Sequence, residues 1–307
     1  MSLDHCLVTR RYRVLLLVGS GSCLLLGACP QLLTDDFRDR PSSAIGVEPA
    51  LDASTPEVVS HDAGPPPGSA APPPGSAGTG DDASWTAPAH RYDFGGAGTT
   101  ATDSVGGADA YIWNAALDDK GFIGLDGDDQ YVSLPNGLLS SSNDKTLEAW
   151  LTWRGGPAWQ RVFDFGSSDA GELNQGSGVS YLFLTPSSSD GVMSVACSQD
   201  GFANETALRG TEALPIDILT HVAVVIDSAR GAFSLYLNGT LNATATVRQQ
   251  LARINDVNLW IGRSQFRGDP SLAADVTEFR IYDRALDADQ LARSYQMGPN
   301  GPLTSQL

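Results

Sequence analysis

Histidine and cysteine are among the scarcest residues of this 307-residue chain, with four of each. Beyond residue 84 only His90, His221 and Cys197 remain, and no Gly-x-Ser-x-Gly sequence is present. These shortages argue against a Ser-His-Asp hydrolase and against a zinc site with ligands at fixed spacing. In "MSVACS", alternation places Cys197 on the same strand face as Met193 and Val195, which favours a buried apolar residue over a reactive thiol.

Basic residues are also few, since 19 Lys and Arg stand against 36 Asp and Glu, giving a net charge of −17. From Trp85 onward, 14 basic and 26 acidic residues leave 14 − 26 = −12, and 21 of the acidic residues are Asp. A nucleic-acid partner bound through a basic surface is therefore excluded. Aspartate is typical of turns and of hard-cation sites, so this composition favours a loop-rich β domain.

Only one long hydrophobic run occurs, "VLLLVGSGSCLLL" from Val14 to Leu26, and it follows three arginines within residues 10–13. It is too short for a transmembrane helix and has the layout of a secretory signal peptide. The run ends in "LLGAC", which resembles the lipobox of bacterial lipoproteins. This resemblance implies cleavage after residue 28 and lipidation of Cys29, which would anchor the chain at the bacterial cell envelope, with the outer membrane expected. The alternative is an ordinary signal peptide cleaved near Ala28.

Residues 29–84 are rich in Pro, Ser, Ala and Gly, contain a single aromatic residue, and repeat the hexapeptide "PPPGSA". Such a segment buries too little apolar surface to offset the entropy lost on ordering. We therefore expect a disordered tether between the lipid anchor and a folded domain that spans residues 85–307.

Short alternating segments separated by turn residues predict an antiparallel all-β domain for residues 85–307. The clearest is a meander of "HVAVVI", "FSLYL" and residues 240–247, in which Asn238-Gly239 forms a tight hairpin turn. Helical spacing is confined to Leu286–Gln296, where Leu291 and Tyr295 share one face after a cap at Asp287.

Eight short segments carry the strongest pattern of the folded part, and in chain order they are "YDFGG", "DSVGGADA", "LDGDDQYVSLP", "TLEAWLTW", "THVAVVID", "LYLNG", "WIGRS" and "TEFRIYDRALDADQL". In their order and spacing these segments resemble the laminin-G-like domains of the concanavalin A-like lectin/glucanase superfamily. The resemblance covers nearly all of residues 90–297. It implies a jelly-roll sandwich of two antiparallel sheets with a short C-terminal helix, and it places ligands on a concave face or on rim loops.

One calcium ion is a further expectation, because related domains often bind calcium at the sandwich rim and because clustered oxygens suit it. Asp103 and Asp109 flank one glycine-rich loop, and Asp126 and Asp128 lie in "DGDD". The family usually carries an aspartate at the position of Thr277, so a role for that ligand is in doubt, with Asp275 as a substitute. The alternative is that these aspartates only form local turn hydrogen bonds.

Catalysis is not expected. Glucanases of the superfamily carry Glu-x-Asp-x-x-Glu on one strand, and none of the five glutamates after residue 84 has an acidic residue two positions on. An inverting carboxylate pair assembled from distant loops stays open as a cryptic glycosidase.

Two segments, "WQRVFDFG" and "WIGRSQF", combine aromatic rings with the planar polar groups that engage sugar hydroxyls. If their strands are neighbours, they place one polysaccharide site on one surface. The structural alternative has Phe163, Phe165 and Ile261 in the core, both arginines paired with aspartates, and Trp159 covering an edge. The expected function is thus a lipid-anchored, non-enzymatic binding module for polysaccharide, with a structural or adhesive module for a cell-surface protein as the alternative. The residues of the expected sugar site are Trp159, Arg161, Asp164, Trp260, Arg263 and Gln265.

Overall fold

A computed structural model describes residues 87–302 of the chain. The expected signal peptide (1–28), Cys29, the tether (29–84) and the expected domain start at residue 85 lie outside the described residues. Within residues 87–302, no helix has both the length and the apolar character that crossing a membrane requires.

The described residues form a sandwich of two antiparallel sheets, which confirms the all-β jelly roll expected from the sequence. We call the seven-stranded sheet the back sheet and the eight-stranded sheet the front sheet. The back sheet has the order β1 (His90–Tyr92), β17 (Ala273–Tyr282), β8 (Lys145–Trp153), β13 (Leu219–Asp227), β14 (Ala232–Leu237) and β15 (Thr240–Thr246), and β6 (Ile123–Asp126) also pairs with β17. The front sheet has the order β12 (Thr206–Arg209), β11 (Ser194–Ser198), β10 (Gly178–Thr185), β9 (Phe163–Ser168), β16 (Asn258–Ile261), β7 (Tyr131–Leu134), β4 (Ala110–Trp113) and β3 (Thr100–Ala101). A small separate pair consists of β2 (Ala97–Gly98) and β5 (Leu117–Asp118).

The predicted hairpin turn between β14 and β15 is present. Asn238 and Gly239 both have positive φ, 50° and 73°, as a tight two-residue turn between twisted strands requires. A side chain at Gly239 would also meet helix atoms only 3.0 Å away, so the close packing of this turn depends on glycine.

The hydrophobic core lies between the two sheets. Alternate residues of the front sheet, such as Ile112, Val132 and Leu182, point inward and meet the inward residues of the back sheet. Phe163, Phe165 and Ile261 belong to this core, as the structural alternative proposed, and so does Cys197. Burial raises the pKa of the Cys197 thiol to about 12, so the thiolate that would react is suppressed.

Helix α1 (Ala288–Met297) covers the outer face of the back sheet, close to the predicted Leu286–Gln296. Its first turn is a capping box in which Asp287 accepts from the Gln290 backbone N–H. Leu291 is buried against the sheet, whereas Tyr295 is 43% exposed and stacks on His221. The predicted helical face is therefore only partly buried.

Two buried glutamates of the back sheet, Glu148 and Glu278, have hydrogen-bond partners within the protein. Glu148 accepts from Ser294 Oγ at 3.0 Å and hydrogen-bonds His221 Nε2 at 3.1 Å. Glu278 accepts from Arg91 Nε at 2.7 Å and from Arg280 Nε at 2.5 Å. Although burial opposes ionisation, these arginines hold the pKa of Glu278 below its ordinary value. The two most deeply buried glutamates thus have structural partners.

Candidate functional site

The outer face of the front sheet carries the sequence segments singled out above. Cross-strand pairing sets one row of residues across seven strands, and its members point away from the core because their neighbours in sequence point into it. In strand order the row is Tyr111, Ser133, Trp260, Asp164, Phe183, Ala196 and Ala207. Since β9 and β16 are neighbours, the two aromatic segments do meet on this face.

Three residues of the expected sugar site come together there, but below the surface. Arg161, Asp164 and Gln265 are each at most 1% exposed. Asp164 Oδ2 accepts from the Gln265 backbone N–H at 2.9 Å and lies 3.4 Å from Arg161 Nε. The guanidinium of Arg161 also lies 4.0 Å from the ring centre of Phe183. In this structure these groups are interior groups and present no surface to a ligand.

The buried cluster anchors the segment that follows β16. Arg161 Nη2 and Ser264 Oγ both donate to Asp269 Oδ2, each at 2.8 Å. Burial, opposed by the charge of Arg161, raises the pKa of Asp164 to about 7. Phe266, from the same segment, packs on Tyr181 and Phe183. Residues 263–269 therefore form a cover over the middle of the outer face, which we call the covering loop.

The remaining three predicted residues differ in exposure. Trp260 is 0% exposed and Trp159 is half-buried with a positive φ of 72°. Arg263 keeps 15% of its side chain exposed and extends away from Arg161, with its guanidinium carbon 4.5 Å from the ring centre of Tyr131 and 4.6 Å from that of Trp260. Arg263 is thus the one member of the arginine pair that reaches a surface.

Beside Arg263 lie three aromatic rings that the sequence did not assign to a site, Tyr111, Trp113 and Tyr131, which we call the aromatic strip. Trp113 and Tyr131 are stacked with ring centres 5.9 Å apart, and Tyr111 meets the edge of Trp113 at 5.0 Å. Tyr111 is 49% exposed and Trp113 is 36% exposed. The strip therefore presents an apolar, flat surface to solvent on the uncovered end of the outer face.

Polar groups border the strip, and we call Asn114, Asp129 and Arg263 the polar group. Asn114 Nδ2 donates to the Asp129 backbone carbonyl at 2.9 Å, and Arg263 Nε lies 3.9 Å from Asp129 Oδ1. Asp129 keeps 63% of its side chain exposed. An amide, a carboxylate and a guanidinium thus lie beside exposed rings. This is the combination of groups that we expected from the sequence at "WQRVFDFG" and "WIGRSQF".

The aromatic strip could be predicted only in part from the sequence. "YIWN" shows Tyr111 and Trp113 on one strand face, a signal that was available. What the sequence does not show is that β4 pairs with β7, which puts Trp113 opposite Tyr131. Pairing between segments so far apart depends on the whole sheet.

Both carboxylate oxygens of Asp103, an expected calcium ligand, form hydrogen bonds with other groups of the protein. Its Oδ1 accepts from the backbone N–H groups of Arg91, Val105 and Gly106, and its Oδ2 accepts from Ala108 and binds His90 Nδ1 at 2.7 Å. Burial opposes ionisation, but these hydrogen bonds lower the pKa of Asp103 to about 2. Asp109 Oδ1 accepts from the Asp103 backbone N–H at 2.9 Å. The pair forms the loop as the turn alternative described.

Asp126 and Asp128 belong to another part of the molecule. Asp126 Oδ1 accepts from the Asp128 N–H at 2.8 Å and its Oδ2 from Gln130 at 2.8 Å. Asp126 pairs with Ala273 of β17, whereas Tyr92, the bridge partner of Asp103, pairs with Phe279. Ala273 and Phe279 are six residues apart on β17, so the aspartate clusters at Asp126 and Asp103 are about 20 Å apart along this strand. Asp275, the substitute ligand, forms an ion pair with Arg154.

No group of three or more His, Cys, Asp or Glu side chains that could hold a metal ion occurs among the described residues. The four aspartates named from the sequence thus lie in two separate clusters, and calcium binding at either one stays a prediction.

Comparisons with known proteins agree with this architecture. No curated protein matches the chain. Among solved structures, Trypanosoma rangeli sialidase in complex with sialic acid is similar at 16% identity and a TM-score of 0.53, over 71% of this chain and 33% of that one. This chain thus corresponds to about a third of the sialidase.

Two smaller domains show weaker similarity. Domain 4 of AbnA, a GH43 extracellular arabinanase from Geobacillus stearothermophilus, in complex with arabinotriose, has 19% identity, 68% and 98% coverage, and a TM-score of 0.49. The Ruminococcus gnavus IT-sialidase CBM40 bound to α2,3 sialyllactose has 15% identity, 56% and 94% coverage, and a TM-score of 0.47.

The family model for laminin-G-like domains, described as the concanavalin A-like lectin/glucanases superfamily, matches residues 126–292. That match spans more than half of the chain and includes β7 and β16, whereas β4, which carries Tyr111 and Trp113 of the aromatic strip, lies before it. The chain belongs to this laminin-G-like family of the concanavalin A-like superfamily.

Proposed function

We propose that this protein is a lipid-anchored, non-enzymatic module that binds polysaccharide at the bacterial cell envelope through the aromatic strip and the polar group. The observation that carries the proposal is the exposure of Tyr111 and Trp113 beside Arg263. Exposed rings bind the C–H faces of sugars, and planar polar groups bind neighbouring hydroxyls.

The absence of catalysis is part of the same proposal. Glu148 and Glu278 lie beneath α1 and are bound to basic partners, so neither faces a cleft. Most glycoside hydrolases use two carboxyl groups on either side of the scissile bond. The strip itself contains no glutamate, and Asp129 is the only carboxylate of its polar group. Release of reducing ends from bound polysaccharide would restore the glycosidase alternative.

In this proposal, the lipid on Cys29 and the tether hold the glycan-binding domain at the cell envelope. A Cys29→Ser chain should lose membrane association while keeping its glycan binding, because the proposed sites lie beyond residue 84. Membrane fractionation of cells that express the two chains tests this part independently of sugar binding.

The test of binding is a glycan array probed with the full chain carrying Cys29→Ser. Trp113→Ala should reduce binding at least tenfold, about 1.4 kcal/mol. Tyr295→Ala is the matched control, because Tyr295 is also an exposed aromatic residue but lies on α1, over the back sheet. Equal binding by the Trp113→Ala variant, or no binding by the parent chain to any glycan, would overturn the proposal.

A protein partner is the second candidate, and one observation favours it. Ile216, Ile218 and Leu219 are 55%, 58% and 50% exposed at the start of β13. Clustered exposed apolar residues often mark a protein interface. Ile218→Asp should abolish such an interaction and leave glycan binding unchanged.

A further inference from the structure

A concave site, separate from the flat aromatic strip, lies at the far edge of the sandwich, where the edge strands of both sheets lie. One wall is the connection from β11 to β12, including Gln199 and Glu205, and the other is the chain after β15, including Arg248 and Gln249. The space between them has a volume of about 610 Å³. This lies within the range of about 300–1,000 Å³ found for small-molecule sites. We call it the edge cleft.

Side-chain amides hold the two walls of the edge cleft together. Gln249 Nε2 donates to the Asn204 carbonyl at 2.7 Å, and Gln199 Nε2 donates to the Gln250 carbonyl at 2.7 Å. Each bond runs from one wall to the other, so the opening is fixed before any ligand arrives. A preformed site loses less entropy when it binds.

The chemistry of the lining selects the class of ligand. Amides (Gln199, Asn204, Gln249), carboxylates (Asp200, Glu205) and one guanidinium (Arg248) supply many planar hydrogen-bonding groups. Alanines are the only apolar residues of the lining, so a lipid or an aromatic ligand has little to bind. Two carboxylates against one cation disfavour an anion. The lining therefore suits a neutral, polyhydroxylated molecule.

One lining residue of the edge cleft lies on the same outer face as the aromatic strip. Ala207, which lines it, ends the row that begins at Tyr111. Tyr181, on this outer face, donates its hydroxyl to Glu205 Oε2 at 2.7 Å and so positions that carboxylate. Six strand spacings separate β4 from β12, or about 29 Å. The covering loop lies between the two sites.

We propose that the edge cleft is a second sugar-binding subsite for neutral glycan, so that one polysaccharide chain engages both ends of the outer face. The inference rests on the proposed function for the chemical class of its ligand. A second contact within one chain occurs at high effective concentration, and a polymer then binds more tightly than a short oligosaccharide.

The test uses the full Cys29→Ser chain with neutral trisaccharides of arabinan, xylan and β-glucan and with the three parent polymers. Calorimetry should give two trisaccharide sites per chain. For one polymer, the dissociation constant should be at least tenfold lower than that of the matching trisaccharide. Ala203→Trp fills the cleft from an exposed lining position and should leave one site, as should Trp113→Ala at the strip. Arg248→Ala checks the cleft with a smaller change, and Ile218→Asp is the distant control.

The outcomes separate the two proposals. One trisaccharide site that is lost in Trp113→Ala and unchanged in Ala203→Trp overturns the edge cleft and leaves the aromatic strip. Two sites in the parent chain, each removed by its own variant, support both. A parent chain that binds none of these glycans overturns both.

Discussion

Trp113 and Tyr131 stack across neighbouring strands with their ring planes only 9° from parallel. Trp113 is partly exposed while Tyr131 is buried, so the inner ring supports the outer one. The guanidinium carbon of Arg263 also lies 4.5 Å from the ring centre of Tyr131, so a cation adjoins the two stacked rings. This geometry fixes a flat apolar surface on the outer face of the front sheet.

The two arginines proposed from the sequence should behave differently when replaced. Arg161→Ala removes a buried cation from Asp164 and Asp269 and should lower the free energy of unfolding by about 3–5 kcal/mol. Arg263→Ala should leave the fold nearly unchanged and weaken glycan binding. Urea unfolding and glycan titration on both variants measure this contrast. Unimpaired folding of Arg161→Ala together with lost binding would instead make Arg161 a ligand contact.

Neutral glycans should bind the aromatic strip more tightly than anionic ones. Asp126, Asp128 and Asp129 lie in exposed positions on the adjacent turn, and Arg263 is the cation of the polar group. Asp128→Asn should therefore raise the affinity for a uronic-acid polymer and have little effect on a neutral one. Added salt should reduce the difference in affinity between the neutral and the anionic polymer, because it screens the repulsion between the aspartates and the uronic acids. Tighter binding of the anionic polymer by the parent chain would contradict this.

Stability should depend on pH through Asp164. Its pKa is about 7 in the folded state, against about 3.9 in an unfolded chain. The folded state thus holds more protons between these values, and the free energy of unfolding falls as pH rises from about 4 to about 7. Asp164→Asn should remove this slope.

Urea unfolding across that pH range is the measurement. Asp190→Asn provides the control, because Asp190 forms an exposed ion pair with Arg209, and such pairs contribute about 0–1 kcal/mol. If Asp164→Asn and the parent chain keep parallel pH profiles, the buried carboxylate does not titrate in this range.

Asp103 should act on stability independently of calcium. Asp103→Asn places an amide against several N–H donors and should cost about 2–3 kcal/mol. Because the folded pKa of Asp103 lies at about 2, its contribution is present above about pH 4 and is lost as pH falls towards 2.

Calcium binding from the sequence stays a prediction, and thermal unfolding with calcium or with a chelator tests it. If these aspartates only form turn hydrogen bonds, the melting temperatures are equal. A calcium-dependent rise that disappears in Asp103→Asn or Asp126→Asn would establish a site.

The sequence carried strong local signals for the fold. Alternation in "HVAVVI" and "FSLYL", the Asn238-Gly239 turn and the cap at Asp287 each depend on a few adjacent residues, and the structure contains all of them. The ordered set of motifs likewise indicated the family, which the family match confirms. The boundaries of α1 differed by two residues at one end and one at the other.

The candidate site depended on contacts that no local pattern encodes. The sequence predicted one shared surface for Arg161, Asp164, Arg263 and Gln265 only if their strands were neighbours. Arg161, Asp164 and Gln265 do meet, but only the tertiary structure shows that the covering loop buries them. It also brought Trp113 against Tyr131, 18 positions away in the chain. Side-chain alternation determines which face a residue occupies, whereas the path of distant loops determines whether that face is open to solvent.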